Sequence, residues 1–320
     1  MSTYLLATMP TTAHVTAMAP IARALIGGGH RVHWYGSRSS RAAIEAAGAM
    51  LEPMDSTAGV DEADLAAPHP RGGNGRSSGW WTRRRTGGED RRRALERHYL
   101  DPVPRHLLEL GRLTGLLIPD ALITSTDFVA GALYAEQTRF PWISVGIDPL
   151  PLTRRDAGVL GRYQAIRAQL GLRSVTTCPF TAISGLLHLQ NGVPALDPPR
   201  ELPPQIQHVG ALTLTGCLQG QILVTDRGFS TVQTALAHGI PVLVTGGDPE
   251  VADRIMWTGA GLHLRRASAR RIGRAVARIL DEPSFRNAAM SLRDIYHGYD
   301  TPAVILKQVE QTTMALMLQR

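Results

Sequence analysis

The sequence is short of cysteine and lysine and lacks long apolar runs, and the first and last of these shortages each remove a class of protein. Only two cysteines occur, Cys178 and Cys217. Their separation rules out a metal knuckle or a CxxC redox pair, so neither a zinc nor a disulfide framework is expected and both thiols read as packing residues. Lys307 is the single lysine among 34 basic side chains, a bias toward arginine from which no function follows. No run of 18 apolar residues occurs and no basic region precedes the apolar residues 4–26, so the expectation is a soluble cytoplasmic chain without membrane insertion. A GxGxxG turn after the first strand is also missing, which argues against a dinucleotide oxidoreductase.

What is present is ample apolar material: 43% of 320 residues, more than one core normally takes, so two domains are expected. The net charge of +7 is local, because residues 71–97 hold nine arginines against Glu89, Asp90 and Glu96. About residues 68–93, rich in Gly, Arg and Ser, read as a solvated loop. Trp80 and Trp81 offer stacking surfaces for bases, but no period would gather the arginines on one face, and no nucleic-acid partner is expected.

Elsewhere strands and helices alternate. YLLATM reads as a buried strand, PTTAH as a loop, VTAMAPIARALI as a helix stopped by GGGH, and RVHWYG as a second strand. Val15, Met18, Ala22 and Leu25 keep the three-and-four spacing of an amphipathic helix. PDALITST and FPWISVGI read as further strands flanking the helix DFVAGALYAEQT, and a proline-rich connection ends near Pro204. Beyond it QILVT, IPVLVT and LHLRR are strands separated by helices. The alternation predicts α/β domains with parallel sheets.

Several separated stretches then carry a likeness. TAHVTAMAPIARALIGGGHRVHWYG, PDALITSTDFVAGALYAEQTRFPWISVG, LQNGVPALDPPRELPPQIQHVGAL, TDRGFSTVQTALAHGIPVLVTGG and VADRIMWTGAGLHL resemble, in order, the family 1 nucleotide-sugar glycosyltransferases, particularly the macrolide and antibiotic type. The resemblance implies a GT-B-like architecture of two Rossmann-like parallel-sheet domains. Residues 1–204 would form the acceptor side and 205–320 a truncated nucleotide-sugar-binding domain. Only about ten residues, 211–220, stand where the family has a strand-and-helix segment, and a second shortening falls at 151–161.

The resemblance also assigns roles. His14 matches the family's catalytic base, at a helix start whose positive end favours the neutral, proton-accepting ring. The family's orienting aspartate falls on Ser125, with Asp127 two residues later, either as a substitute or as a cap of the following helix. Arg227, Gly228, Phe229, Ser230 and Thr231 match the diphosphate-binding turn, and Ser230 with Gln233 has the spacing of a capping box. Asp226 would repel a phosphate, whereas Arg227 would clamp one or fill its place. Asp248 and Glu250 match the loop that faces the donor sugar, or else decorate a helix N-terminus; Trp257 reads as packing. The implied function is inverting transfer of a sugar from a nucleotide-sugar donor to a hydroxyl of a small lipophilic acceptor. It needs no metal and no cofactor beyond the donor as co-substrate. The alternative is a degenerate homologue acting as a binding or partner protein.

Overall fold

A computed structural model describes residues 1–54, 88–152, 158–214, 218–226, 228–246 and 248–318. Arg227, Cys217 and most of the expected basic loop, with Trp80 and Trp81, lie outside the described residues; the loop's last part, 88–93, is helical.

The chain begins β1 (Thr3–Ala7), α1 (Thr12–Gly27), β2 (Arg31–Gly36), α2 (Arg41–Ala46) and β3 (Met50–Pro53). It resumes with α3 (Gly88–Leu95), α4 (Val103–Leu117), β4 (Ala121–Ser125), α5 (Val129–Thr138), β5 (Trp142–Gly146), α6 (Leu160–Gln169), β6 (Leu187–Gln190) and β7 (Ile206–His208). These seven strands form one parallel sheet in the order β3-β2-β1-β4-β5-β6-β7. All five residues of β1, β4 and β5 are buried, as strands covered on both faces must be. One face packs on α1 through Val15, Met18, Ile21 and Leu25. The other packs on α4 and α5 through Leu107, Leu110, Leu113 and Leu133.

A second sheet holds three parallel strands, β8 (Leu223–Thr225), β9 (Val242–Thr245) and β10 (Gly261–Leu264), in the order β10-β9-β8. It is served by α7 (Phe229–Ala237), α8 (Pro249–Thr258), α9 (Ala269–Asp281) and α10 (Pro283–His297). Helix α11 (Thr301–Leu318) returns to the first domain, where Ile305 and Val309 join the core beneath α1. There Tyr4 Oη lies 3.2 Å from Thr313 Oγ1 and His30 Nε2 lies 3.0 Å from Glu310 Oε1.

Three details depart from the expected pattern. Helix α1 starts at Thr12, with Thr11 as its N-cap, so the expected loop 10–14 contributes a helical first turn. Strand β6 was not anticipated, because it carries His188 and Gln190, both buried. The proline-rich connection delivers β7 into the first sheet, which therefore extends to His208, past the expected boundary at Pro204.

Candidate active site

The strand order reverses between β1 and β4, and such a reversal opens a crevice at the carboxyl ends of the strands. His14 follows β1 and Asp127 follows β4, so the topology delivers both to that crevice. Thr11 accepts a hydrogen bond from His14 N at 3.3 Å, which fixes His14 in the first turn of α1. After β4 a tight turn, with Phe128 N on Ser125 O at 3.1 Å and Val129 N on Asp127 O at 3.0 Å, aims Asp127 sideways. Its Oδ2 lies 3.0 Å from His14 Nε2, the two side chains being 13% and 14% exposed. The N-cap of α5 is Phe128 and no side chain caps it, so Asp127 pairs with His14 instead of capping the helix. His14 Nδ1 faces Thr11 Oγ1. Ser125 is fully buried, and its Oγ has no hydrogen-bond partner among the described residues.

Asp148, which sequence reasoning missed, enters the same crevice from the turn after β5. Gln190 Nε2 donates to Asp148 O at 2.9 Å and Asn191 Nδ2 to Ile147 O at 2.8 Å, so two buried amides clamp this turn by its carbonyls. Gln190 is itself held by His188 Nε2 at 3.1 Å, and His188 Nδ1 lies 2.8 Å from Ser144 Oγ. Enclosure by protein raises the Asp148 carboxyl above the ordinary range; Asp127 adds to the rise, His14 opposes it and Asp248 adds again. Asp148 is nevertheless solvent-exposed, and water screens part of that rise. Asp248 precedes α8, and Glu250 Oε2 on α8 accepts from Leu152 N at 2.8 Å, so the start of α8 lies beside the loop that follows β5. The signal available in the sequence was a carboxylate directly beyond the strand WISVGI.

On the far side, α7 begins at Phe229 with Gly228 as N-cap and no side-chain cap. The expected capping box is not formed: Ser230 is exposed, while Gln233 is fully buried and its Nε2 donates to Tyr296 Oη at 3.3 Å. Core packing claimed the glutamine, and among the described residues no side chain caps the first N–H groups of α7. A Cβ added at Gly228 would meet open space. Asp226, half-buried, stands just before this turn. Asp248 caps α8, its Oδ1 accepting from Glu250 N at 2.9 Å.

Glu250 is a correction. Expected to face a sugar, it is 6% exposed, with Oε2 accepting from Leu152 N at 2.8 Å and lying 3.3 Å from Arg254 Nη1. It belongs to an interdomain clasp, since a buried carboxylate takes the nearest guanidinium and N–H as partners. Arg254 completes the clasp by donating to Asp197 Oδ1 from Nε at 2.7 Å and to Leu150 O. Despite burial, the hydrogen bond from His208 and the charge of Arg254 hold the Asp197 carboxyl below its usual range. Trp257, expected to pack, is 52% exposed.

Residues 190–312 match the family described as Erythromycin biosynthesis protein CIII-like, C-terminal domain. The chain is also 25% identical to 4'-demethylrebeccamycin synthase of Lentzea aerocolonigenes over 414 aligned residues, covering 92% of this chain and 96% of the relative. The chain is thus similar to antibiotic-type family 1 glycosyltransferases. That alignment is longer than the chain's 320 residues, so the relative carries segments for which this chain has none, in keeping with the three strands of the second sheet among the described residues. Solved structures give the fold as GT-B. CalG4, the calicheamicin glycosyltransferase, superposes with a TM-score of 0.72 at 16% identity, covering 98% of each chain. The glycosyltransferase SsfS6 of Streptomyces sp. SF2575, complexed with thymidine diphosphate, does so at 0.63 and 21%, covering 97% of this chain and 100% of that one. Among the described residues, no helix is long and apolar enough to cross a membrane.

Proposed function

We propose that this protein is an inverting glycosyltransferase that moves a sugar from a nucleotide-sugar donor to a hydroxyl of a small lipophilic acceptor. The observation that carries the reading is the His14–Asp127 pair at the sheet's switch point, 3.0 Å apart. His14 takes the acceptor's proton, and Asp127 orients the ring and balances the imidazolium that forms. The anomeric carbon is attacked from the side opposite the departing diphosphate, which the uncapped start of α7 receives through its N–H groups. Asp248 borders the sugar's space; Glu250, spent in the clasp, takes no part. The thymidine diphosphate bound by SsfS6 makes that nucleotide the first donor head to try. A cavity of about 470 Å³ lined by Leu150, Pro151, Leu152, Leu160 and Ile206 begins two residues beyond Asp148 and has the size a small apolar acceptor fills.

The test is calorimetric titration with thymidine diphosphate and TDP-glucose, together with transfer to 4-methylumbelliferone. His14→Asn is expected to keep donor binding and to lose transfer by about a hundredfold or more. A wild-type protein that binds no nucleotide diphosphate sinks the reading. The better account is then a binding protein that keeps the fold without turnover.

A further inference from the structure

Both ring nitrogens of His14 are engaged. Nε2 lies 3.0 Å from Asp127 Oδ2 and Nδ1 faces Thr11 Oγ1 in a short contact. A carboxylate only accepts hydrogen bonds, so Nε2 carries the ring proton of the neutral imidazole and the lone pair resides on Nδ1. The Thr11 hydroxyl therefore donates to Nδ1 and, through its own lone pairs, accepts from His14 N at 3.3 Å. Thr11 is half-buried and the His14 side chain only 13% exposed. An incoming hydroxyl thus finds the basic nitrogen already covered by Thr11.

We propose that Thr11 relays the proton: the acceptor's hydroxyl docks on Thr11 Oγ, and His14 Nδ1 receives Thr11's own hydrogen. This inference rests on the transfer reading above. As the acceptor oxygen bonds to the anomeric carbon, the bond from that carbon to the diphosphate breaks and its electron pair leaves with the diphosphate. The acceptor's proton passes to Thr11 Oγ, the Thr11 hydrogen passes to Nδ1, and the imidazolium is held by Asp127. Thr11 ends as it began, with one hydrogen, and the ring returns its extra proton to solvent after release.

The alternative role for Thr11 is that of a helix cap alone, and two variants separate the two. Thr11→Asn keeps a strong capping side chain but has no hydroxyl to pass a proton, whereas Thr11→Ser keeps both. With TDP-glucose and 4-methylumbelliferone, Thr11→Asn is expected to lower kcat about a hundredfold without changing the affinity for thymidine diphosphate, and Thr11→Ser to restore turnover. Rates in mixed light and heavy water are expected to curve with deuterium fraction in the wild type, reporting two protons in flight. Nitrogen NMR of histidine-labelled protein, with the His14 signals assigned by His14→Asn, is expected to show a protonated Nε2 and a hydrogen-bonded, unprotonated Nδ1. An active Thr11→Asn enzyme, or a proton found on Nδ1, overturns the relay while leaving sugar transfer intact. A wild type inactive with these substrates counts against the transfer reading instead, and the resonances still decide where the ring's lone pair lies.

Discussion

Arg254 meets Asp197 with two nitrogens, Nε at 2.7 Å and Nη2 at 2.6 Å. This fork ties α8 of the second domain to the segment that leaves β6. The same guanidinium reaches Leu150 O and Glu250, and it is only 2% exposed. The loop that carries Asp148 into the crevice is thereby fastened to the domain opposite.

Removing one partner of this buried cluster strands the other charges in a dry place. Arg254→Met is expected to lower unfolding stability by about 3–5 kcal/mol, and adding Asp197→Asn to return part of that loss. Arg254→Lys recovers little, because an ammonium cannot reproduce the planar fork. Urea unfolding of the three variants measures each term, and a cost below about 1 kcal/mol for Arg254→Met shows that the domains are held by other contacts.

Two buried histidines give stability a slope with pH. Burial lowers His106 to about 4, with Arg105 adding to the drop, and burial likewise lowers His188 to about 4 against the opposing hydrogen bond from Gln190. The unfolded chain binds protons on these rings near pH 6.5 and the folded chain does not. Stability is therefore expected to fall as pH drops from about 6.5 toward 4, by up to about 1.4 kcal/mol per pH unit for each ring. Asp197 acts at the acid end: its lowered value contributes stability that is present above the ordinary carboxylate range and is lost as pH falls through the folded one. Denaturation midpoints between pH 4 and 7 check the histidine part, and His188→Gln is expected to flatten the curve. An unchanged slope in that variant assigns the effect elsewhere.

Glycine substitutions probe the clamp on Asp148. A Cβ at Gly146 would run into Gln190 Oε1 and come within 2.8 Å of His188 Nε2, so Gly146→Ala displaces the amide that holds Asp148. The expected loss is about 1–3 kcal/mol, with transfer falling more than nucleotide binding. Gly161→Ala in α6, whose Cβ meets nothing within 4 Å, is the control and gains up to about 1 kcal/mol from helix propensity. Thermal unfolding compares the two, and equal midpoints contradict the clamp.

The βαβ rhythm and the parallel sheets were legible because β1, β4 and β5 are written in apolar residues with only small hydroxyl side chains and a glycine among them, and glycines stand at helix ends. Strand β6 was not, since its polar residues are satisfied by distant partners, His188 by Ser144 forty-four positions away. The site was half legible. His14 was placed by motif and Asp127 stood as one of two readings, but contact between residues 113 positions apart depends on how β1 and β4 pair. Spacing also misled. Ser230 and Gln233 have the separation of a capping box, yet the core beside Tyr296 took the glutamine. Glu250 has the place of a sugar ligand, yet the nearby Arg254 and Leu152 N–H took its carboxylate.

The return of α11 to the first domain bears on how the chain is made. Ile305 and Val309 cover apolar residues beneath α1, and they emerge from the ribosome only after the whole second domain has been translated. Until then the N-terminal sheet exposes a greasy patch shaped for a helix not yet born. Folding during synthesis must wait on that patch or shield it, so a ribosome that stalls within the second domain leaves a nascent chain prone to chaperone capture.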